Sequence, residues 1–549
     1  MHLKKLTVFE ISAIVFIAAL GLALRLLFFE RTDMLWDEAW HVAIGYKIAT
    51  AFWTQPILPI ACLAGLAVIV YILLVKRSLA GAGVISFLML ISAFVLKIPF
   101  ALHTRHPPLF NIAAAFGIFL TGLPPEIIGK LISTAALMAL PFFGLLLGMQ
   151  IKGKKFGIVL FALLMLSPLS IFYSGTAFLN PLAVMLAYGG LAVFFAALKN
   201  SRLMPLAGVL FALAVATRYT AALMVIAFAY LLFVNRHWVM KSENRNNCAI
   251  FALLAITAIG VFLPAMLSSF GGYAEWSGDD SNYIHDIAHY STFLADAFGG
   301  EPLKTGAAFY PELFMFFLSP LAAVFFIAGA FFALRNRQKG VLIFLLIFLA
   351  YIAFFSIASD YMAPRYALIM EFPLMVVAAY GIIEGASWLK EKTGAAYWRG
   401  IWHGAFAALI VFFVWQNAVL INEHEFHGLS EALAELPEDA VIYTSYLDSV
   451  KYYSGAYKTD TEITNSFFSK FAVSSATAGG KGEILYINTP LEDVAGRVDY
   501  VIANRLFFGD ENARALDRFT LCREIKSAGT TIFWLYAREH CPAVRGIGA

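Results

Sequence analysis

Long apolar runs separated by short polar turns fill the chain from its start to about residue 421, and then they stop. A helix needs roughly 20 apolar residues to cross a bilayer. The first such run is Val8 to Phe29. It is followed by Ile57 to Val75, Gly83 to Ile98, Ile127 to Met149, Phe156 to Tyr173 and Pro181 to Leu198. A short pair comes next, Leu203 to Ala216 and Thr220 to Val234, then Ile250 to Leu267, Leu313 to Leu334, Val341 to Ala358, Ala367 to Leu389 and Trp402 to Leu420. The pattern predicts about thirteen crossings, or about eleven if Ile57–Ile98 lies along the surface. Leu109 to Thr121 is too short to cross and reads as interfacial or re-entrant.

The stretch from Asn422 to Ala549 changes character. Pro437, Gly455, Gly479-Gly480 and Gly482 are turn signals. Glu431 to Leu436 reads as helix; Ala440 to Ser445, Glu483 to Ile487, Tyr500 to Ala503 and Thr530 to Tyr536 read as strands. The predicted organisation is a membrane domain over 1–421 and a small α/β domain over 422–549.

Composition agrees. The chain has 549 residues, 61% hydrophobic and 14% charged, and a mean hydropathy of +0.77, far from the balance of soluble domains. A net charge of +3 gives no reason to expect nucleic acid. The first run has no small-residue cleavage site and carries Arg25, so it reads as a retained span. Basic residues mark the cytoplasmic turns: Lys4-Lys5, Lys76-Arg77, Lys152 to Lys155, Arg335 to Lys339, and Lys390 with Lys392. Parity then puts the N-terminus inside and the C-terminal domain outside. Cys522 and Cys541 are the cysteines of that domain; the outer compartment permits a disulfide, although spacing alone does not show that they meet.

The candidate chemistry all faces outward. Asp37-Glu38 follow the first span, and Arg25 within that span adds to the expectation of a polar site there. Arg105-His106 precede Pro107-Pro108. Asn180 opens a span, Arg218 sits at the tip of the short pair, and Arg365-Tyr366 open the twelfth run. A long loop, Ser268 to Pro311, carries His285 and Asp286. Each has a plainer reading: Asp37-Glu38 as a helix cap, Pro107-Pro108 as a loop-to-helix turn, Arg365 as a snorkelling arginine, and the loop residues as solvated groups. Arg218 is harder to dismiss. A run of 14 residues reaches only ~21 Å, so its tip stays near the hydrocarbon, where an arginine needs an anion such as a lipid phosphate. No metal-ligand spacing is present.

In order, LRLLFFERTDMLWDEAWH, RHPPLFN, GVLFALAVATRYTAAL and APRYALIMEFPLMVVAAYGI resemble the corresponding pieces of GT-C superfamily membrane glycosyltransferases. The likeness is to the protein O-mannosyltransferase and aminoarabinose-transferase branch. The resemblance implies a polytopic α-helical, GT-C-like membrane protein with a small extracytoplasmic α/β domain. It implies inverting transfer of a sugar from a polyprenyl- or dolichyl-phosphate donor to a lipid, glycan or protein acceptor. Asp37 matches the acid that deprotonates the acceptor, with Glu38 its neighbour. His106 and Arg105, Arg218, Arg365 and Tyr366 match positions near the donor phosphate, and Asn180, His285 and Asp286 are candidates on the acceptor side. Two departures stand out. Ile57–Ile98 adds a hairpin, and Asn180 replaces the Asp of some relatives, which weakens a metal site while leaving a divalent cation open as cofactor. A transporter or flippase for a lipid-linked saccharide, or a non-catalytic sugar-binding subunit, is compatible with the same residues.

Sidedness is directly testable. Single cysteines at Ser475 and Gln338 should label from opposite faces of the membrane; labelling from one face overturns the topology and the grouping of the candidate residues.

Overall fold

The computed structural model describes residues 6–29, 34, 36–94, 107–279, 306–358, 364–393 and 396–423. Of the C-terminal part it describes 428–437, 440–444, 450, 452–454, 476–477, 483–486, 491–504, 510–527 and 530–542. The first region is helical. α1 (Val8–Phe29), α2 (Trp36–Thr54), α3 (Ile57–Val70) and α4 (Leu79–Phe94) precede the first gap. After it come α5 (Leu109–Thr121), α6 (Pro125–Ile151), α7 (Lys154–Leu166), α8 (Pro168–Ser174), α9 (Leu179–Ala197), α10 (Met204–Val215) and α11 (Val225–Val234). α12 (Ser242–Asp279), α13 (Gly306–Arg335), α14 (Lys339–Ala358), α15 (Ala367–Thr393) and α16 (Ala396–Glu423) complete the bundle. Among the described residues 7 helices are long and apolar enough to cross a membrane, up to 8 counting α7 and α8 as one bent span, beside several shorter apolar helices. The protein is a polytopic helical membrane protein.

Physical causes for individual elements are visible. α1 starts in a capping box: the Thr7 N–H donates to Glu10 Oε2 at 2.6 Å and the Glu10 N–H to Thr7 Oγ1 at 3.2 Å. α3 runs on in π-helical form to Lys76 and turns back at Arg77, whose φ is +50°. Ile57–Phe94 is thus a helical hairpin, with α4 packed on α12. α5 lies against α2 through Phe52, Ala114 and Ile118. α13 and α15 touch backbone to backbone, and a Cβ at Gly329 or Gly381 would collide with the facing helix. α12 extends to Asp279, so the start of the long polar loop expected from Ser268 is helical.

The run Phe156 to Tyr173, expected to be one span, breaks by 51° between α7 and α8. Pro168 supplies no N–H and ends α7, leaving carbonyls without helical partners in a segment with no water. Arg25 and Asn417 fill that need. Arg25 Nη1 donates to the Met165 carbonyl at 2.8 Å and Asn417 Nδ2 to the Leu166 carbonyl at 3.0 Å. Arg25 also reaches the Gly21 carbonyl and, at 3.4 Å, that of Leu137. The hydroxyls of Ser167 and Ser170 donate to the carboxylate of Glu371 on α15, the latter at 2.7 Å. Arg25 and Glu371 are both fully buried and close enough to attract each other. Arg25 therefore serves the helix break rather than the outward site expected near it.

One end of the bundle gathers the turns expected on the cytoplasmic side. Lys154 pairs with Glu10 at 3.2 Å, Lys152 pairs with Glu384, and Asn336 donates to Glu384 at 3.2 Å.

The C-terminal region carries a six-stranded mixed sheet built from β1 (Ile442–Thr444), β2 (Ala476–Thr477), β3 (Glu483–Tyr486), β4 (Tyr500–Asn504), β5 (Thr520–Ser527) and β6 (Thr530–Ala537). Its order is β2-β3-β1-β4-β6-β5, with β1 parallel to both β3 and β4. Residues alternate between two cores. Ile442, Ile502 and Phe533 pack under Leu429 and Leu433 of α17 (Gly428–Ala434), whereas Tyr443, Val501 and Ala503 face Leu491 and Phe519. Strand β5 has no counterpart in the expected set. Cys522 on β5 is disulfide-bonded to Cys541 beyond β6.

Replacing Arg25 by Leu removes the donors it gives to the Met165 and Leu137 carbonyls and leaves Asn417 alone at the break. We expect a loss of about 1–3 kcal/mol for the carbonyls left unpaired, read as a lower unfolding temperature in detergent. An unchanged melting temperature for Arg25→Leu overturns this role.

Candidate functional site

The end of the bundle opposite the Lys152–Glu384 pair is assembled around the loop that leaves α8. Asn180 lies in the first turn of α9, ahead of Pro181, whose missing N–H costs no helical bond there. Arg218 stands on extended backbone (φ −153°, ψ 128°) where α10 gives way to the 3-10 turn Tyr219–Met224. Arg365 and Tyr366 form the 3-10 turn, Pro364–Tyr366, that leads into α15. Folding brings these three segments into contact. Arg218 Nη1 donates to Asn180 Oδ1 at 2.6 Å, and Asn180 Nδ2 donates to the Arg365 carbonyl at 2.9 Å. The Arg218 guanidinium lies 4.7 Å from the Tyr366 ring centre; that of Arg365 lies 5.1 Å from Phe178 and 5.6 Å from Tyr366. Tyr366 in turn stacks on Phe355 at 5.2 Å.

A small cleft opens beside them. Asn180, Arg218, Thr220 and Tyr366 line it together with Ala183, Val184, Phe355 and Ile369, and it is only about the size of a water molecule. Two guanidiniums and the N-terminal ends of α9 and α15 make this an electropositive corner. Flat aromatic faces hold the arginine planes in place. Such a corner suits a tetrahedral oxyanion with an apolar tail.

The acidic pair is attached to the same loop. Asp37 and Glu38 lie in the first turn of α2; the side chain of Asp37 falls outside the described groups. Glu38 is buried, and its Oε2 accepts from the Ala177 N–H at 2.6 Å. Ala177 is next to Phe178, which carries Arg365. The turn expected around Pro107-Pro108 joins as well, since the Leu109 N–H donates to the Ala216 carbonyl at 3.0 Å, two residues before Arg218. His41, one helical turn beyond Asp37, shares a hydrogen bond of 3.1 Å between its Nδ1 and Asn111 Oδ1. Glu38, Asn180, Arg218, Arg365 and Tyr366 are thus brought to one end of the bundle. Arg105, His106, His285 and Asp286 lie outside the described residues. Among the described residues no group of three or more His, Cys, Asp or Glu side chains is gathered as a metal site.

Sequence reasoning missed a contact from the C-terminal region. The Met34 N–H donates to the Tyr453 hydroxyl at 2.6 Å, and that hydroxyl donates to Glu126 Oε2 at 3.3 Å. The Glu126 N–H donates to the Tyr452 hydroxyl at 3.1 Å, and Glu126 pairs with the buried Lys130 at 2.7 Å. Tyr452 packs with Met34, Val42 and Ala177. The C-terminal region is therefore latched onto the segment just ahead of the acidic pair. A Tyr-Tyr pair in a polar stretch was the available signal.

No protein family and no curated relative matches the chain by sequence. Its fold does match solved structures. ArnT from Cupriavidus metallidurans in the apo state superposes with a TM-score of 0.55 at 12% identity, over 95% of this chain and 97% of ArnT. The same enzyme bound to undecaprenyl phosphate gives 0.51 at 12% identity over the same shares. The Archaeoglobus fulgidus oligosaccharyltransferase, tethered to an acceptor peptide with the NVT sequon, gives 0.51 at 12% identity over 98% of this chain and 75% of that one. The chain has the GT-C fold of these membrane transferases.

Tyr453→Phe removes a hydroxyl that both accepts from and donates to the bundle. We expect it to lower stability by about 1–3 kcal/mol and to increase proteolytic sensitivity near Met34. Wild-type melting and proteolysis would show that the latch carries no energy.

Proposed function

We propose that this protein transfers a sugar from a polyprenyl- or dolichyl-phosphate donor to an acceptor hydroxyl at the outer membrane face. The observation that carries the reading is the corner formed by Arg218, Asn180, Arg365 and Tyr366 next to a small cleft. A phosphate on an apolar chain is the ligand that guanidinium groups at the end of a membrane bundle would recognise. The GT-C fold, held in common with an enzyme solved with undecaprenyl phosphate, supports the same class of donor. The disulfide between Cys522 and Cys541 supports placing the C-terminal domain outside the cytoplasm, in the cell membrane of a chain whose N-terminus is cytoplasmic.

In this reading Asp37 takes the proton from the acceptor hydroxyl. The oxygen attacks the anomeric carbon from the face opposite the phosphate, the glycosidic C–O bond breaks, and its electron pair leaves on the phosphate. The sugar is transferred with inversion, and polyprenyl phosphate is released. Arg218 and Arg365 hold that phosphate and stabilise the charge it gains, with Tyr366 keeping the guanidinium of Arg218 in plane. Arg105 and His106 are assigned to the donor phosphate by the resemblance. Glu38, engaged with Ala177, positions the acidic helix relative to the arginine corner. His285 and Asp286 are assigned to the acceptor, whereas Asn180 belongs to the arginine corner.

The deciding experiment incubates purified protein with a panel of radiolabelled polyprenyl-phosphate sugars and measures release of polyprenyl phosphate. Asp37→Asn should lower turnover by ~10² or more with donor binding little changed. Arg365→Ala should weaken donor binding roughly ten- to hundred-fold, the scale of a lost charge-assisted contact. Arg218→Lys should be milder than Arg218→Ala, since a point charge still attracts phosphate. Near wild-type turnover in Asp37→Asn removes the base; donor binding without release from any sugar favours a transporter or a sugar-binding subunit.

A further inference from the structure

We infer that Asn180 is a positioning residue whose neutral amide sets how strongly the Arg218–Arg365 corner holds a phosphate anion, an inference that rests on the phosphate reading above. Asn180 is 3% exposed and its two ends are used differently. A guanidinium only donates and a backbone carbonyl only accepts. The amide oxygen therefore faces Arg218 at 2.6 Å and the amide NH2 faces the Arg365 carbonyl at 2.9 Å. Only a group that accepts at one end and donates at the other closes both contacts.

A carboxylate of the same shape would act differently in two ways. Its second oxygen would oppose the Arg365 carbonyl, acceptor against acceptor. Its negative charge would sit against Arg218, subtracting one unit from the field that an incoming phosphate meets. The amide instead joins two arginine-bearing segments, 38 and 185 residues away along the chain, without subtracting charge from either. The ligand class that gains is a phosphate mono- or diester recognised by guanidinium groups.

Two substitutions separate charge from architecture. Asn180→Asp keeps the shape and strengthens the grip on Arg218, yet removes net positive charge. Asn180→Ala removes both bonds and adds no charge. A bridge with only a structural role predicts that Ala is the worse change; the electrostatic role predicts that Asp is worse for the anion. The measurement is binding of a polyprenyl phosphate to the full-length protein in nanodiscs across a salt series, with the matching polyprenyl alcohol as control and melting temperature recorded for each variant. We expect Asn180→Asp to weaken binding ten-fold or more and to flatten its salt dependence, Asn180→Ala to weaken it less, and the alcohol to bind all variants alike. Wild-type affinity in Asn180→Asp, with affinity lost in Arg218→Ala, overturns this inference and leaves the phosphate reading standing. Unchanged affinity in both Arg218→Ala and Arg365→Ala overturns the phosphate reading and this inference with it. If Asn180→Asp does not fold, Asn180→Ala decides: a loss larger than that of Arg218→Ala makes Asn180 a structural bridge only and overturns the electrostatic role.

Discussion

A broken helix inside a bilayer must find hydrogen-bond donors within the protein, because the lipid offers none. The bend between α7 and α8 is such a break, and the polar groups that serve it come from α1, α15 and α16. That choice of partners matters for everything beyond it. α1 leads out to the acidic pair, α8 leads out to Ala177 and Asn180, and α15 is entered through Arg365 and Tyr366. Three of the segments at the candidate site are thus the outward continuations of helices already fixed to one another at the break, and Arg218, at the end of α10, joins them through Asn180. α8 has only 7 residues, about 10 Å of helix, so little length separates the anchored point from the loop it aims.

The two ends of the bundle are stabilised by different chemistry. At one, lysines meet carboxylates directly, as in Lys154–Glu10 and Lys152–Glu384. At the other, where Lys130 also pairs with Glu126, the contacts described for Arg218 and Arg365 run to aromatic faces and to an amide. A lysine bound to a carboxylate is a closed electrostatic pair.

Much of this was legible in the sequence, for identifiable reasons. Run length located α1 from Val8 to Phe29 without error, since the hydrocarbon thickness sets a scale that sequence alone can match. Arg218 was legible because the apolar run before it is short, and Arg365-Tyr366 because they interrupt a hydrophobic pattern. The break at Ser167 was not, because a proline after one serine barely disturbs hydropathy. Arg25 was visible as an oddity, but its partners are backbone carbonyls, which leave no trace in side-chain sequence. Glu371, a lone carboxylate within an apolar run, was the available clue to where Arg25 belongs. Strand β5, Thr520–Ser527, mixes Cys522, Arg523, Glu524 and Lys526 and sits at the sheet edge, where polar residues are expected and alternation fades.

The latch between Tyr453 and Met34 has a consequence for how the protein is made. The acidic pair is made well before its two fastenings, which are distant along the chain. Ala177 follows Glu38 by 139 residues, and Tyr453 follows Met34 by 419. At a synthesis rate of about 5–20 residues per second, the second fastening arrives roughly 20–80 seconds after the first residues it holds. The nascent protein therefore carries an incompletely fastened acidic segment until Tyr453 has been made.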